Sequence, residues 1–238
     1  MSLGHLRSWV FTIPIAVVIT GVMSTLAAVG SVISPEGAWQ KFLYRSWSAM
    51  VLFVFGVKMR VQGRENLDPN QNYVIASNHA SLVDTPVLLG GMPIPFKFMA
   101  KQELLRVPFI GWYLRRTRHL TVSRGSIRSS IESMNEAARL IRERKVSVLF
   151  FPEGTRSAEG MQKFKDGAAY LAIAAGVPVA PVALVGTGRI LPAKSSCFRP
   201  GEVELRIGAP LPTEGYTLKD RGALTALAEQ QVRAMLEA

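Results

Sequence analysis

An α/β fold is what the sequence predicts: a mixed, mostly parallel sheet flanked by helices, behind an N-terminal membrane-embedded helical segment. Three observations carry this. Residues 8–35 contain no charged side chain. From residue 61 onward, short apolar β-favouring runs alternate with helical stretches. The two most distinctive polar clusters each follow an apolar, strand-like run, where α/β sheets present their ligands. At 238 residues the chain suits one sizeable domain with a short appendage. The expected division is residues 1–60, membrane-associated, and 61–238, globular.

In chain order, residues 9–33 are long enough to cross a bilayer, for which ~20 apolar helical residues suffice. Pro14, Gly21 and Gly30 would loosen such a helix, so spanning and re-entrant courses both stay open. Residues 46–57 are also uncharged but too short to span. They read as an interfacial partner, with Trp39, Tyr44 and Trp47 at the headgroup level. Lys41, Arg45, Lys58 and Arg60 outnumber Arg7, so a spanning first segment leaves the rest of the chain on the cytoplasmic side. Arg7, the apolar stretch and Ala28-Val29-Gly30 also fit a signal peptide. The second apolar run and the single cysteine, Cys197, favour an anchor.

Residues 72–77 (NYVIAS) read as a buried strand and 82–89 as the helix after it, with Pro86 tolerable near its first turn. Residues 126–145 form the clearest helix, apolar at Ile127, Ile131, Met134, Ala138 and Ile141. Residues 146–151 (VSVLFF) are a continuous apolar strand of the kind buried on both faces. Residues 166–175 read as a helix stopped by Gly176. Strands over 179–185 and 202–207 follow, and residues 218–236 close the chain as an amphipathic helix with Leu224, Leu227, Ala228, Val232 and Met235 inward.

The net charge of +11 attracts polyanions. No zinc finger, RNA-binding aromatic motif or basic recognition helix accompanies it, so a phospholipid membrane is the expected partner and nucleic acid is not. One cysteine excludes an intramolecular disulfide, and three histidines with few aspartates argue against a metal site. Neither a Gly-x-Ser-x-Gly elbow nor a phosphate-binding P-loop is present, and Gly186-Thr187-Gly188 reads as a turn.

Two clusters carry chemistry. The first is Asn78-His79-Ala80-Ser81-Leu82-Val83-Asp84. Activating a hydroxyl at neutral pH calls for a base, and histidine is the natural one. A carboxylate five residues on can hold the other ring nitrogen, as in a catalytic triad without its serine. By itself the spacing equally fits a capping histidine with Asp84 at a helix start. The second cluster is Phe151-Pro152-Glu153-Gly154-Thr155-Arg156-Ser157. A glycine turn can offer backbone N–H groups to an oxyanion, and Arg156 offers a fork for phosphate. Glu153 either fixes the loop or orients that arginine.

Taken together, the two clusters resemble the glycerolipid acyltransferase family, and most of all its 1-acyl-sn-glycerol-3-phosphate acyltransferase branch. Two further blocks are similar: Lys101-x-Glu-Leu with Pro108-Phe-Ile-Gly111 and Arg124, then residues 177–184 (VPVAPVAL). The resemblance covers roughly residues 60–210. It implies direct acyl transfer from acyl-CoA or acyl-carrier protein to lysophosphatidic acid, giving phosphatidic acid, with no covalent acyl-enzyme and no cofactor. It implies His79 as general base and Asp84 as its orienting partner. Glu153, Gly154, Thr155 and Arg156 would form the acceptor-binding loop, Lys101 and Arg124 would add charge on the phosphate side, and Pro178 and Pro181 would shape the far wall. Arg118 stands where the family usually has glycine, and Ser123 where an acidic residue is common. Arg115, Arg116 and Arg118 therefore read as a lipid-facing patch or as extra charge in the acceptor pocket. A different lysolipid acceptor, or a non-catalytic lipid-binding protein, are the alternative functions.

Overall fold

The computed structural model describes residues 3–32, 34, 37–117, 119–122, 127–157 and 159–238. Most of the uncharged N-terminal stretch, with the residues just before it, forms one rod, Leu3–Gly30, long and apolar enough by length and composition to cross a membrane. It comprises α1 (Leu3–Arg7), a π-helical turn (Ser8–Thr12) and α2 (Ile13–Gly30). Pro14, in the first turn of α2, supplies no N–H to the turn before it, and the π turn absorbs the mismatch.

The rod is bonded to the rest of the chain near both ends. Arg7 donates to Phe198 O (2.8 Å), Ser8 Oγ accepts the Phe198 N–H (2.9 Å), and Trp9 Nε1 donates to Ser196 Oγ (3.1 Å). At the far end Gln40 Nε2 donates to Ala27 O (2.9 Å). The second helix, α3 (Ala38–Phe55), is longer than the uncharged run within it. Its first half carries Lys41 and Arg45 outward, where their charges stay solvated. It stops at Gly56, whose φ of 70° makes the left-handed cap.

Seven strands follow: β1 (Val57–Gln62), β2 (Val74–Ser77), β3 (Phe96–Lys101), β4 (Leu120–Val122), β5 (Ser147–Phe150), β6 (Val179–Val185) and β7 (Gly201–Ile207). They form one sheet in the order β1-β7-β6-β2-β5-β3-β4. Every neighbouring pair is parallel except β6 with β7. This is the mixed, mostly parallel sheet that the alternating pattern predicts. β1 runs through the expected 60/61 division, so residues 57–60 belong to the sheet edge.

The helices between are α4 (Asp84–Gly91), α5 (Ile110–Arg116), α6 (Ile127–Arg144), α7 (Gly167–Ala175), the short α8 (Thr187–Ile190) and α9 (Arg221–Glu237). Strand alternation sorts the core into two layers. Ile75 packs with Leu52, Phe55, Val87 and Leu88, under α3 and α4. Its neighbours Val74 and Ala76 pack with Ala138, Ile141, Leu171, Leu224 and Val232, under α6, α7 and α9. β2 is buried along its whole length, as a strand covered on both faces must be.

Two helix faces differ from the sequence reading. Ile131 and Leu227 are both exposed, while Met134, Ala137, Ala138 and Ile141 supply the contact of α6 with the core. A single large residue at the border of an apolar stripe turns outward when smaller neighbours let the helix sit closer to the sheet.

Candidate active site

Both polar clusters begin where a central strand ends. β2 stops at Ser77 and passes into Asn78 and His79, while its neighbour β5 stops at Phe150 and passes into 151–156. The parallel pairing of the two strands therefore brings the clusters side by side.

The loop after β2 is held at every step. The Asn78 amide accepts the Leu184 N–H (2.8 Å) and donates to Leu184 O (3.1 Å), locking the loop to β6. Ser81 Oγ donates to Leu191 O (2.8 Å). Asp84, the first residue of α4, has no exposed surface. Its Oδ2 accepts the backbone N–H groups of Ala80 (2.8 Å) and Ser81 (2.9 Å) and lies 2.7 Å from His79 Nδ1. Negative charge there is favoured by the N-terminus of α4. A carboxylate can only accept, so the imidazole proton sits on Nδ1 and Nε2 keeps its lone pair. Phe151 stacks on the ring, with centroids 4.0 Å apart and planes at 14°, which fixes the direction of Nε2.

The loop after β5 has a held half and an open half. Glu153 is buried, and its Oε1 accepts the His79 backbone N–H at 2.6 Å. Its Oε2 accepts the Gln162 N–H, also at 2.6 Å. Of the two sequence readings of Glu153, the geometry has the one that fixes the loop, and it ties the loop directly to His79. Burial pushes its carboxyl above the ordinary range, with the hydrogen bonds from Gln162 and His79 acting the other way. Gly154 adopts φ 78°, where a side chain would be strained, and its N–H donates to Phe151 O (3.0 Å), so that amide closes the turn. Thr155 and Arg156 are exposed, and among the described residues no hydrogen bond or ion pair holds the Arg156 guanidinium.

His79, Gly154, Thr155 and Arg156 share the lining of a cavity of about 460 Å³ that runs beneath the N-terminal helices. Apart from these residues its wall is mainly apolar, drawing Met23, Leu43 and Trp47 from α2 and α3 and Phe98 and Leu114 from the domain. Trp47 Nε1 donates to Thr20 Oγ1 (3.1 Å), joining the two helices at that wall. Tyr44 and Trp47, expected at the headgroup level, thus turn inward, while Trp39 is exposed. The sequence missed this participation of the N-terminal segment. The one local signal was small polar residues, Thr20 and Ser24, inside an otherwise apolar helix.

Lys101 ends β3, and its side chain is outside the described residues, as are Arg118, Ser123 and Arg124 altogether. Pro178 and Pro181 support the sheet, Pro178 O accepting the Val74 N–H (3.0 Å) and Pro181 O the Gly208 N–H (2.9 Å). Among the described residues no group of three or more His, Cys, Asp or Glu is arranged to hold a metal ion.

Comparison with known proteins gives three findings. The family model described as Acyltransferase matches residues 58–185. A 1-acyl-sn-glycerol-3-phosphate acyltransferase of Chlamydomonas reinhardtii is 36% identical over 200 residues, covering 83% of this chain and 58% of the relative. The alpha form of that enzyme from Homo sapiens is 32% identical over 187 residues, covering 78% and 65%. The chain thus spans roughly three-fifths of the length of the curated relatives it matches. The crystal structure of the 1-acyl-sn-glycerophosphate (LPA) acyltransferase PlsC from Thermotoga maritima superposes with a TM-score of 0.84 at 25% identity, covering 98% of this chain and 95% of that one.

Proposed function

The chain belongs to the acyltransferase family, and from that premise we propose that it transfers a fatty acyl group from a thioester to the free hydroxyl of 1-acyl-sn-glycerol 3-phosphate. The observation that carries this reading is the His79–Asp84 pair facing an apolar cavity with Arg156 at its rim. The names of the relatives support the acceptor.

In the proposed reaction His79 Nε2 takes the proton of the acceptor hydroxyl as its oxygen attacks the thioester carbonyl. Asp84 holds the imidazole in the tautomer that can do so and stabilises the imidazolium that forms. The tetrahedral intermediate collapses by breaking the C–S bond. The departing thiolate takes the proton back from His79, so the products are the diacyl ester and free thiol. No enzyme nucleophile is needed. The nearby hydroxyls of Ser77 and Ser81 are occupied, donating to Asn78 O and Leu191 O.

Thr155 and Arg156 receive the acceptor's phosphate, with Lys101 and Arg124 adding charge. Glu153 and Gly154 shape the loop that presents them. A volume of about 460 Å³ falls within the roughly 300–1,000 Å³ of pockets that take small ligands, and its apolar wall suits an acyl chain. The thioester donor in this reading is acyl-CoA or acyl-carrier protein.

The apolar face of α1–α3 enters the membrane. Leu6, Phe11, Val18, Val22, Phe42 and Phe53 are all exposed. Because the rod is bonded to residues 196–198 of the domain near its start and to α3 near its end, we read it as lying in one leaflet, with residues 1–56 as the membrane segment and the domain on the cytoplasmic side. Lys41, Arg45, Lys58 and Arg60 then meet anionic headgroups. Incubating the protein with a labelled acyl thioester and lysophosphatidate tests the reaction. One phosphatidate per thiol released, with no label left on denatured protein, is the expected result. A trapped acyl-enzyme would overturn the mechanism, and release of free fatty acid alone would overturn the acceptor.

A further inference from the structure

Between β3 and β4 the domain shows an apolar surface that the proposed reaction does not use. Within residues 104–112 the large apolar side chains of Leu104, Val107, Phe109, Ile110 and Trp112 are all exposed. Elsewhere in the domain, among the described residues, such side chains stand singly, at Leu82, Ile131, Leu218 and Leu227. Scattered apolar residues need no explanation, but a close group marks a surface that meets something. Arg106, Arg115 and Arg116 are exposed on either side of the group, and Glu103 is the one carboxylate in residues 102–116.

The backbone holds this group in a fixed shape. Phe109 adopts φ 62° and ψ −55°, and the Ile110 N–H donates to Pro108 O (2.7 Å), a γ-turn of the rare, strained hand. A bulky side chain keeps such a conformation only where its surroundings impose it. Here they do. The Gly111 N–H donates to Val107 O (2.8 Å), a Cβ at Gly111 would stand 2.2 Å from Leu105 O, and Arg115 donates to Leu105 O (2.7 Å). The strained turn leaves the Phe109 side chain 49% exposed, where it adds little to the core.

The neighbouring rod points to what covers the surface. α5 packs against α2, and Leu104 and Ile110, exposed members of the group, also line the apolar cavity together with Met23 and Ala27 of α2. The group and the rod therefore adjoin and wall one cavity. A second copy of the chain fits poorly, because the arginines beside the group and the net charge of +11 repel their like. An anionic leaflet suits both parts, taking the apolar tip among its acyl chains and the guanidinium groups at its phosphates. We propose that residues 104–112 form a second membrane-inserting element, a wedge of the globular domain that enters an anionic leaflet beside α2. Phe109 and Trp112 lead it, and Arg106, Arg115 and Arg116 meet lipid phosphates. Of the two sequence readings of Arg115 and Arg116, this is the lipid-facing one. The wedge rests on the reading that α1–α3 meet the membrane and is independent of the acyl-transfer chemistry.

The test follows insertion position by position in the full chain, with a fluorophore on single cysteines in a Cys197→Ser background. The positions are Trp112→Cys on the wedge, Val22→Cys on the rod and Leu227→Cys on α9. Vesicles of equal parts phosphatidylglycerol and phosphatidylcholine are used with and without a nitroxide lipid that quenches the fluorophore in the acyl-chain region. Strong quenching at 112 and 22, with none at 227, is the expected result. Quenching at 22 but not at 112 would overturn the wedge and leave the rod in the membrane, and quenching at neither would overturn both. In unlabelled protein, Phe109→Gly with Trp112→Gln should weaken binding to the same vesicles by about tenfold. The melting temperature should not fall, because glycine takes a positive φ without strain, and Phe109→Trp should keep the vesicle affinity. Unchanged vesicle affinity in the double variant would also overturn the wedge.

Discussion

The loops that leave β2 and β5 stand side by side and are held very differently. The first is bonded to β6 through Asn78, to 191 through Ser81, to Asp84 through two backbone amides, and to Glu153 through the backbone of His79. The second is held at Glu153 and Gly154 and again at Ser157, and between them Thr155 and Arg156 are exposed, with no hydrogen bond or ion pair to their side chains among the described residues. A base has to be fixed before substrate arrives, because misplacement of a reacting group costs rate steeply. A group that grips a charged headgroup can adjust as it binds. The difference assigns chemistry to the first loop and selection to the second, with Glu153 as the link between them.

That division can be broken at several points. His79→Ala should have the largest effect, lowering kcat by about 10²–10⁴-fold with little change in acceptor KM; a preserved kcat would remove His79 as base. Asp84→Asn comes next. It keeps the shape but can donate to Nδ1 and hold the wrong tautomer, so kcat should fall by about 10²-fold or more, while a change confined to KM would contradict the orienting role.

Glu153→Ala tests the link. It frees two buried backbone N–H groups, so stability should fall by roughly 1–3 kcal/mol, and kcat should fall although Glu153 touches no substrate. Loss of stability with full kcat would make the clasp purely structural. Its ionisation adds a smaller, signed effect. Burial holds the folded carboxyl above its ordinary range, so the folded state keeps the proton longer, and stability declines as pH rises through the window just above that range. Glu153→Gln should flatten that decline in thermal melts.

A second pH effect, outside the two loops, comes from the opposite end of the sheet. Burial, with the Lys97 charge adding to it, pushes His119 from the usual 6.5 down to about 3 in the folded chain, so the unfolded chain binds the extra proton between those values. Stability therefore falls as pH drops from 6.5 towards 3. His119→Leu should reduce that slope, and an unchanged slope would place the acid sensitivity elsewhere.

How legible all this was in the sequence followed the range of each interaction. His79 and Asp84 were readable because their partnership is local, five positions apart across one strand-to-helix turn. β2, β5 and β6 were readable because strands buried on both faces are continuously apolar. β1, β3 and β4 were not read, since edge and near-edge strands mix Lys58, Arg60, Lys97 and Lys101 into their runs. The clasp of Glu153 was named only as one of two options, because its acceptors bind backbone amides, which leave no mark in sequence. The inward turn of Tyr44 and Trp47 was misread, because which side of an apolar helix meets protein is decided by tertiary packing. β1 crossed the expected domain division for a related reason: the apolar run of α3 ends at Gly56 and the strand begins directly after it.

The measurement that tests the division of labour most directly compares wild type with Arg156→Ala on a panel of acceptors. Lysophosphatidate, lysophosphatidylcholine and monoacylglycerol would each be offered with one labelled acyl thioester. Wild type should prefer lysophosphatidate. The variant should lose that preference through a KM about 10–100-fold higher for lysophosphatidate alone, the scale of one or two charge-assisted hydrogen bonds, with the KM of the donor and the kcat nearly unchanged. An equal rise for every acceptor, or a fall in kcat with KM preserved, would mean that the open loop shares in the chemistry, and the contrast between the two loops would not stand.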